Sequence, residues 1–146
     1  MELTDLLSNK ILVLTVLSGL SAQIIKVLLS LFSERRLNFR RLFQTGGLPS
    51  SHSASVATLA TVVGVSQGFS SLAFAISIYL CFIVMYEAAG LRRAAGRHAR
   101  LLNQIVERLG LEKKIKEKQL RELLGHSPFE VLVGAIFGIL FALTFW

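Results

Sequence analysis

One cysteine, two prolines and nine acidic residues among 146 positions leave several chemistries without material. Cys81 has no intrachain partner and sits in an apolar run, so it reads as a small buried hydrophobe, neither disulfide nor metal ligand. The nine Asp and Glu residues form no carboxylate cluster, and His and Cys form no cluster with ligand spacing. No metal and no cofactor are therefore implied. Pro49 and Pro128 each precede an apolar segment, where a missing N–H is harmless. A positively charged leader is also lacking: Glu2, Asp5 and a single Lys10 precede Ile11. The N-terminal apolar run is thus expected to be a retained spanning helix, not a signal peptide. There is no internal repeat and no low-complexity linker, so residues 1–146 are read as a single domain.

Charge is scarce as well as segregated. Only 17% of residues are charged, 53% are hydrophobic, and the mean hydropathy is +0.60. Those values suit a small polytopic membrane protein. Of 16 Lys and Arg residues, 14 fall in segments 34–48 and 87–126. An isoelectric point near 10.2 would otherwise suggest nucleic acid. Apolar segments of spanning length flank both basic segments, and membrane topology explains the pattern without a nucleic-acid partner.

The fold class expected is all-α: a polytopic membrane bundle of about four spanning helices plus amphipathic surface helices. The first span runs from about Ile11 to Phe32, long enough for a hydrocarbon core of about 30 Å. It carries Ser18, Ala22, Lys26, Ser30 and Ser33 on one face. A lysine there is costly unless it faces a protein interior or a wet cavity. The second, Ser50 to Val65, is rich in Ala and Gly, which lets helices approach closely. The third runs from about Phe69 to Ala89 after a Gln67-Gly68 turn. The fourth, Pro128 to Trp146, contains a Gly134-x-x-x-Gly138 pair, a helix-packing signal that could also serve a homodimer. Between the third and fourth lies a basic stretch, 92–125. Leu101, Leu102, Ile105, Val106 and Leu109 share a face there, and a second helical pattern follows Gly110. This pair suits either a membrane surface rich in anionic lipid or a solvated hairpin packed on the bundle.

Basic loops remain cytoplasmic. With four crossings, both termini then face outward, and Pro49-Ser50-Ser51-His52, Arg92, Arg93 and His126 all reach the cytoplasmic edge. Gly46-Gly47-Leu48-Pro49-Ser50-Ser51-His52 reads as a loop entering a helix, where unused N–H groups and the dipole favour an anion. Ser50 or Ser51 could equally be an ordinary cap. In His126-Ser127-Pro128-Phe129-Glu130, one helical turn brings the carboxylate to the imidazole and leaves the second ring nitrogen as a nucleophile. Ser127-x-x-Glu130 is also a capping box. Arg92 and Arg93 end the third span, as phosphate clamp or as topological anchor. His98, among Arg97 and Arg100, is expected at the surface.

These motifs resemble the type 2 phosphatidic acid phosphatase superfamily, and specifically its small divergent membrane branch, related to acid phosphatases and vanadium-dependent haloperoxidases. Pro49-Ser50-Ser51-His52 is similar to the superfamily's Pro-Ser-Gly-His, and Gly125-His126 through Gly134 to its third motif. Gly47–Ala54, Tyr86–Arg93 and Glu122–His126 resemble the divergent branch, and the likeness spans about residues 20–140. It implies that His126 forms a phosphohistidine, Glu130 orients it, and His52 protonates the leaving alcohol. Ser50, Ser51, Lys26 and an arginine would hold phosphate. The implied activity is hydrolysis of a lipid phosphate or diphosphate, with membrane lipids and the phosphorylated lipid as partners. The sequence departs from the pattern in three places. Ser51 replaces glycine, the lysine motif lacks Arg-Pro, and Arg93 lies 33 positions before His126, with Arg121 nearer but off register. A non-catalytic lipid-binding or scaffold member is the alternative.

Overall fold

A computed structural model describes residues 3–34, 47–109 and 126–146. Six helices follow in order among these residues: α1 (Leu3–Ser8), α2 (Lys10–Glu34), α3 (Ser51–Gln67), α4 (Leu72–Ala89), α5 (Leu91–Arg108) and α6 (Pro128–Phe145). All regular structure among the described residues is helical, as the apolar periods require.

Local capping sets the helix starts. Asn9 opens α2, its Oδ1 accepting from Leu12 N–H at 3.1 Å. Ser50 caps α3 and Ser71 caps α4. The α3–α4 turn is longer than the expected Gln67-Gly68 pair. Ser71 takes the Phe74 N–H at 3.1 Å, which leaves Phe69 and Ser70 in the turn. Gly68 there has φ +87°, a conformation that favours glycine. Ser127 and Glu130 form the capping box that opens α6, with Pro128 in its first turn.

The shortest of the long helices is the centre. α3 packs against α2, α4 and α6, while α2 and α4 do not meet among the described residues. Ser53, Ala54, Ala57, Thr58, Ala60, Val62, Val63 and Gly64 of α3 are buried. Such small side chains make the close packing feasible without a water-driven hydrophobic effect between helices. α6 runs parallel to α3: Gly134 lies against Ser50, and Gly138 against the Ala54 carbonyl. The homodimer face anticipated at Gly134 and Gly138 is therefore filled by α3 of the same chain. A groove floored by glycines lets the facing backbone approach closely.

Thr58 fastens three helices. Its hydroxyl donates to the Gly138 carbonyl at 2.9 Å and lies 2.8 Å from Ser18 Oγ. A carbonyl only accepts, so Ser18 supplies the proton of the second bond.

Among the described residues, three helices are long and apolar enough to cross a membrane: α2 over Lys10–Ser30, the run beginning at Leu72 that contains α4, and α6 over Pro128–Phe145. α3, the fourth crossing expected, has 17 residues. At about 1.5 Å per residue it spans about 25 Å, the lower edge of what a bilayer core requires. Its partners supply the lipid-facing surface. Ile76, Tyr79, Leu80, Phe82, Ile83 and Tyr86 of α4 and Leu132, Ile136, Ile139, Leu140 and Leu143 of α6 are exposed, as suits an apolar solvent.

Helices α2, α3, α4 and α6 alternate in direction. The start of α2, the α3–α4 turn and the end of α6 share one end of the bundle, where Lys10 Nζ bonds the Trp146 carbonyl. The opposite end gathers the end of α2, the starts of α3 and α6, and the end of α4. Both basic segments connect at that second end.

Candidate functional site

The site is built where four helix ends converge. His126 stands just before α6 and is fully buried, at 1% relative exposure. Its N–H donates to the Ala88 carbonyl at 3.0 Å, which ties the chain entering α6 to the end of α4. His52 lies in the first turn of α3. The two imidazole rings approach edge-on, with centroids 6.2 Å apart and planes at 68°. Two histidines separated by 74 positions in sequence thus face one another, as the charge-derived topology requires.

Glu130 does two jobs. Its Oε2 lies 3.4 Å from His126 Nδ1 and accepts the Ser127 N–H at 2.9 Å. The capping box holds the carboxylate in place, and the carboxylate faces the ring. His126 Nε2 is buried and has no hydrogen bond among the described residues, so the nitrogen turned from Glu130 is the one available for chemistry.

Burial pushes the His126 pKa below its ordinary value, and the nearby Lys26 ammonium and His52 push the same way. Glu130 opposes them without prevailing. The imidazole is therefore held neutral at neutral pH, which preserves its lone pair.

Lys26 is 2% exposed. The stripe of which it is part, Ser18, Ala22, Lys26 and Ser30, is buried throughout; the Ser33 side chain lies outside the described residues. A lysine within a spanning helix thus points into protein rather than lipid, consistent with its cost there. Gly47, at φ +88°, lies over its aliphatic stem, and a Cβ would come within 3.2 Å of Lys26 Cδ. The φ at Gly47 favours glycine, and an added Cβ would press on the lysine stem.

Ser50 is fully buried and Ser51 half-buried at the head of α3. Ser50 Oγ accepts from Ser53 Oγ at 3.0 Å and from Ser53 N–H at 3.4 Å. With its lone pairs engaged, its own proton is left to donate. Ser53 is a residue that sequence reasoning missed. Its only local signal was its place three residues after a cap.

The backbone donors expected at the helix mouths are partly engaged. The helix mouths were expected to offer unused backbone N–H groups to an anion. Instead the Ser50 N–H donates to the Glu130 carbonyl at 3.2 Å and the His126 N–H to Ala88. The Ser53, Ser127 and Glu130 N–H groups are taken by caps. Close packing of α3 on α6 uses donors that the sequence alone leaves open.

Arg92 and Arg93 lie in the first turn of α5, directly after the end of α4 and hence at the site level; their side chains are outside the described residues, as is Arg121. His98 is exposed. Among the described residues no three His, Cys, Asp or Glu side chains converge.

Comparisons with known proteins bear on this arrangement. The chain is 39% identical over 151 aligned positions to an uncharacterized membrane protein, YuiD, of Bacillus subtilis (strain 168), covering 96% of each chain. No solved structure matches. The Divergent PAP2 family matches residues 7–141, which hold every residue of the site, and this integral membrane protein belongs to that family.

Proposed function

We propose that the protein hydrolyses a lipid phosphate or diphosphate through a phosphohistidine formed on His126. The observation that carries this reading is the pairing of a buried His126, backed by Glu130, with His52 across a 6.2 Å ring separation. His126 Nε2 attacks phosphorus and forms the N–P bond. The P–O bond to the lipid breaks, and His52 gives its proton to the departing oxygen. In the second step His52 takes a proton from water, whose oxygen displaces His126 and releases phosphate. Lys26 neutralises the phosphoryl oxygens, and the Ser50 and Ser51 hydroxyls donate to them. Arg92 and Arg93 complete the clamp from the first turn of α5. The acyl chains remain in the bilayer, which the apolar outer faces of α2, α4 and α6 adjoin.

A second reading, a non-catalytic binder of phosphorylated lipid, draws on Ser51 in place of glycine and on the engaged backbone donors. The purified protein in detergent is expected to release phosphate from at least one member of a panel of phosphatidate, phosphatidylglycerophosphate and isoprenyl diphosphates. EDTA should not reduce the rate, and vanadate should inhibit by occupying the phosphate position. Saturable binding of a panel member without phosphate release would favour the second reading. A requirement for added magnesium would point to other chemistry.

The site faces the cytoplasm in this proposal, because both basic segments connect at its end of the bundle and basic loops resist translocation. In a Cys81→Ser background, Gln44→Cys should resist a membrane-impermeant thiol reagent in intact cells and react after lysis. Gln67→Cys, in the opposite turn, should react in both. The reverse pattern would assign the substrate to the outer leaflet.

A further inference from the structure

The helix that leaves the bundle at the site carries a surface that catalysis does not use. α5 (Leu91–Arg108) begins at Gly90 without a side-chain cap and, among the described elements, meets only α4. One edge is covered by the protein: Gly96 and Ala99 are buried, Asn103 and Val106 half-buried. The adjoining edge is apolar yet uncovered. Leu101, Leu102, Ile105 and Leu109 are 50–64% exposed. At 100° per residue these four lie together within one quadrant, while Arg97 and Arg108 border it on the Leu101 side and Gln104 and Glu107 lie beyond them. Four large apolar side chains in a row are poorly suited to water. The charges beside them are one-sided: Leu91–Arg108 holds five arginines and one glutamate.

We propose that α5 lies in the membrane interface at the site end of the bundle, with Leu101, Leu102, Ile105 and Leu109 among the acyl chains and its arginines against anionic headgroups. The apolar edge and the basic bias match the two terms that hold an amphipathic helix to an anionic bilayer. Arginine stems can run along apolar surface while the guanidinium stays at the headgroups. α5 then works as a collar that presses the site against a negatively charged leaflet. The proposal does not depend on catalysis.

The full chain, carrying Cys81→Ser and one cysteine at Leu102, Ile105, Gln104 or Glu107, is labelled with an environment-sensitive fluorophore. It is reconstituted in vesicles containing brominated acyl chains. Labels at Leu102 and Ile105 should be blue-shifted and quenched by bromine, and those at Gln104 and Glu107 should be neither. Replacing phosphatidylglycerol with phosphatidylcholine, or raising salt, should reduce quenching at the first pair. Equal behaviour at all four positions would overturn the interfacial helix. Insensitivity to lipid charge would overturn the role of anionic headgroups. Label–label self-quenching at Leu102, abolished by dilution with unlabelled protein, would mean that a second copy covers the edge instead.

Discussion

Replacing His126 is expected to reduce phosphate release to background. The nucleophile makes the bond on which both chemical steps depend, so no other side chain at the site can substitute. His126 is fully buried, and alanine would leave a cavity with its own cost. His126→Gln retains more of the volume and separates the two effects: it should melt near wild type and still be inactive. His52→Ala should lose about 100- to 10,000-fold, the range for a positioned proton donor. Full activity in either His126 variant on a lipid the wild type cleaves would rule out the phosphohistidine route.

The same residue sets a pH limb. Burial and Lys26 hold the His126 pKa below its ordinary value, so the lone pair survives to lower pH than in a free histidine. The acid limb of kcat/KM should therefore fall below about 6.5, the unperturbed histidine value. Stability shifts in the same sense. The unfolded chain binds the proton more readily, so the contribution of neutral His126 is present above about 6.5 and declines as pH drops. Lys26→Met removes one of the causes and should move the limb upward.

Gly138→Ala is expected to be the most damaging single methyl addition in the bundle. The new Cβ would meet the Ala54 backbone, coming within 2.9 Å of its carbonyl carbon. Backbone cannot swing aside as a side-chain tip can, so α3 and α6 must separate. The Thr58 bond to the Gly138 carbonyl, 2.9 Å long, would stretch with them. Overpacking of this kind costs about 1–3 kcal/mol, and Gly138→Leu should prevent assembly. Gly134→Ala meets Ser50 at its N and Cβ, both at 3.0 Å. It should also displace the Ser50 N–H from the Glu130 carbonyl, lowering activity beyond its effect on melting. Ile136→Ala, on the exposed side of the same helix, serves as the control and should melt near wild type. Thermal unfolding in detergent reads all four. A Gly138→Ala protein with an unchanged melting temperature would refute the close α3–α6 contact.

Much of the molecule was legible in residue order because the information was local. Spanning helices follow from unbroken apolar runs, and the Ser127-x-x-Glu130 box follows from two residues one turn apart. Segregation of arginine and lysine into two segments sufficed to bring His52 and His126 to one end, since each crossing reverses direction. The Glu130–His126 approach was legible for the same reason, being a single helical turn.

What remained hidden depends on which helix meets which. Composition marked α3 as short and rich in small residues, but only packing made it the centre, because its partners supply the apolar exterior it lacks. The Gly134–Gly138 groove was visible as a groove; that α3 rather than a second copy fills it was decided by the parallel approach of the two helices. Burial of Lys26 beneath Gly47 and the seating of Ser50 by Ser53 arise the same way. So does the engagement of the Ser50 and His126 N–H groups, which carbonyls of α6 and α4 reach. Sequence determined the spans, their order and the residues assembled at one end. Tertiary contact decided their distances, which side chains are neutral and which donors are left, because those depend on neighbours far away along the chain.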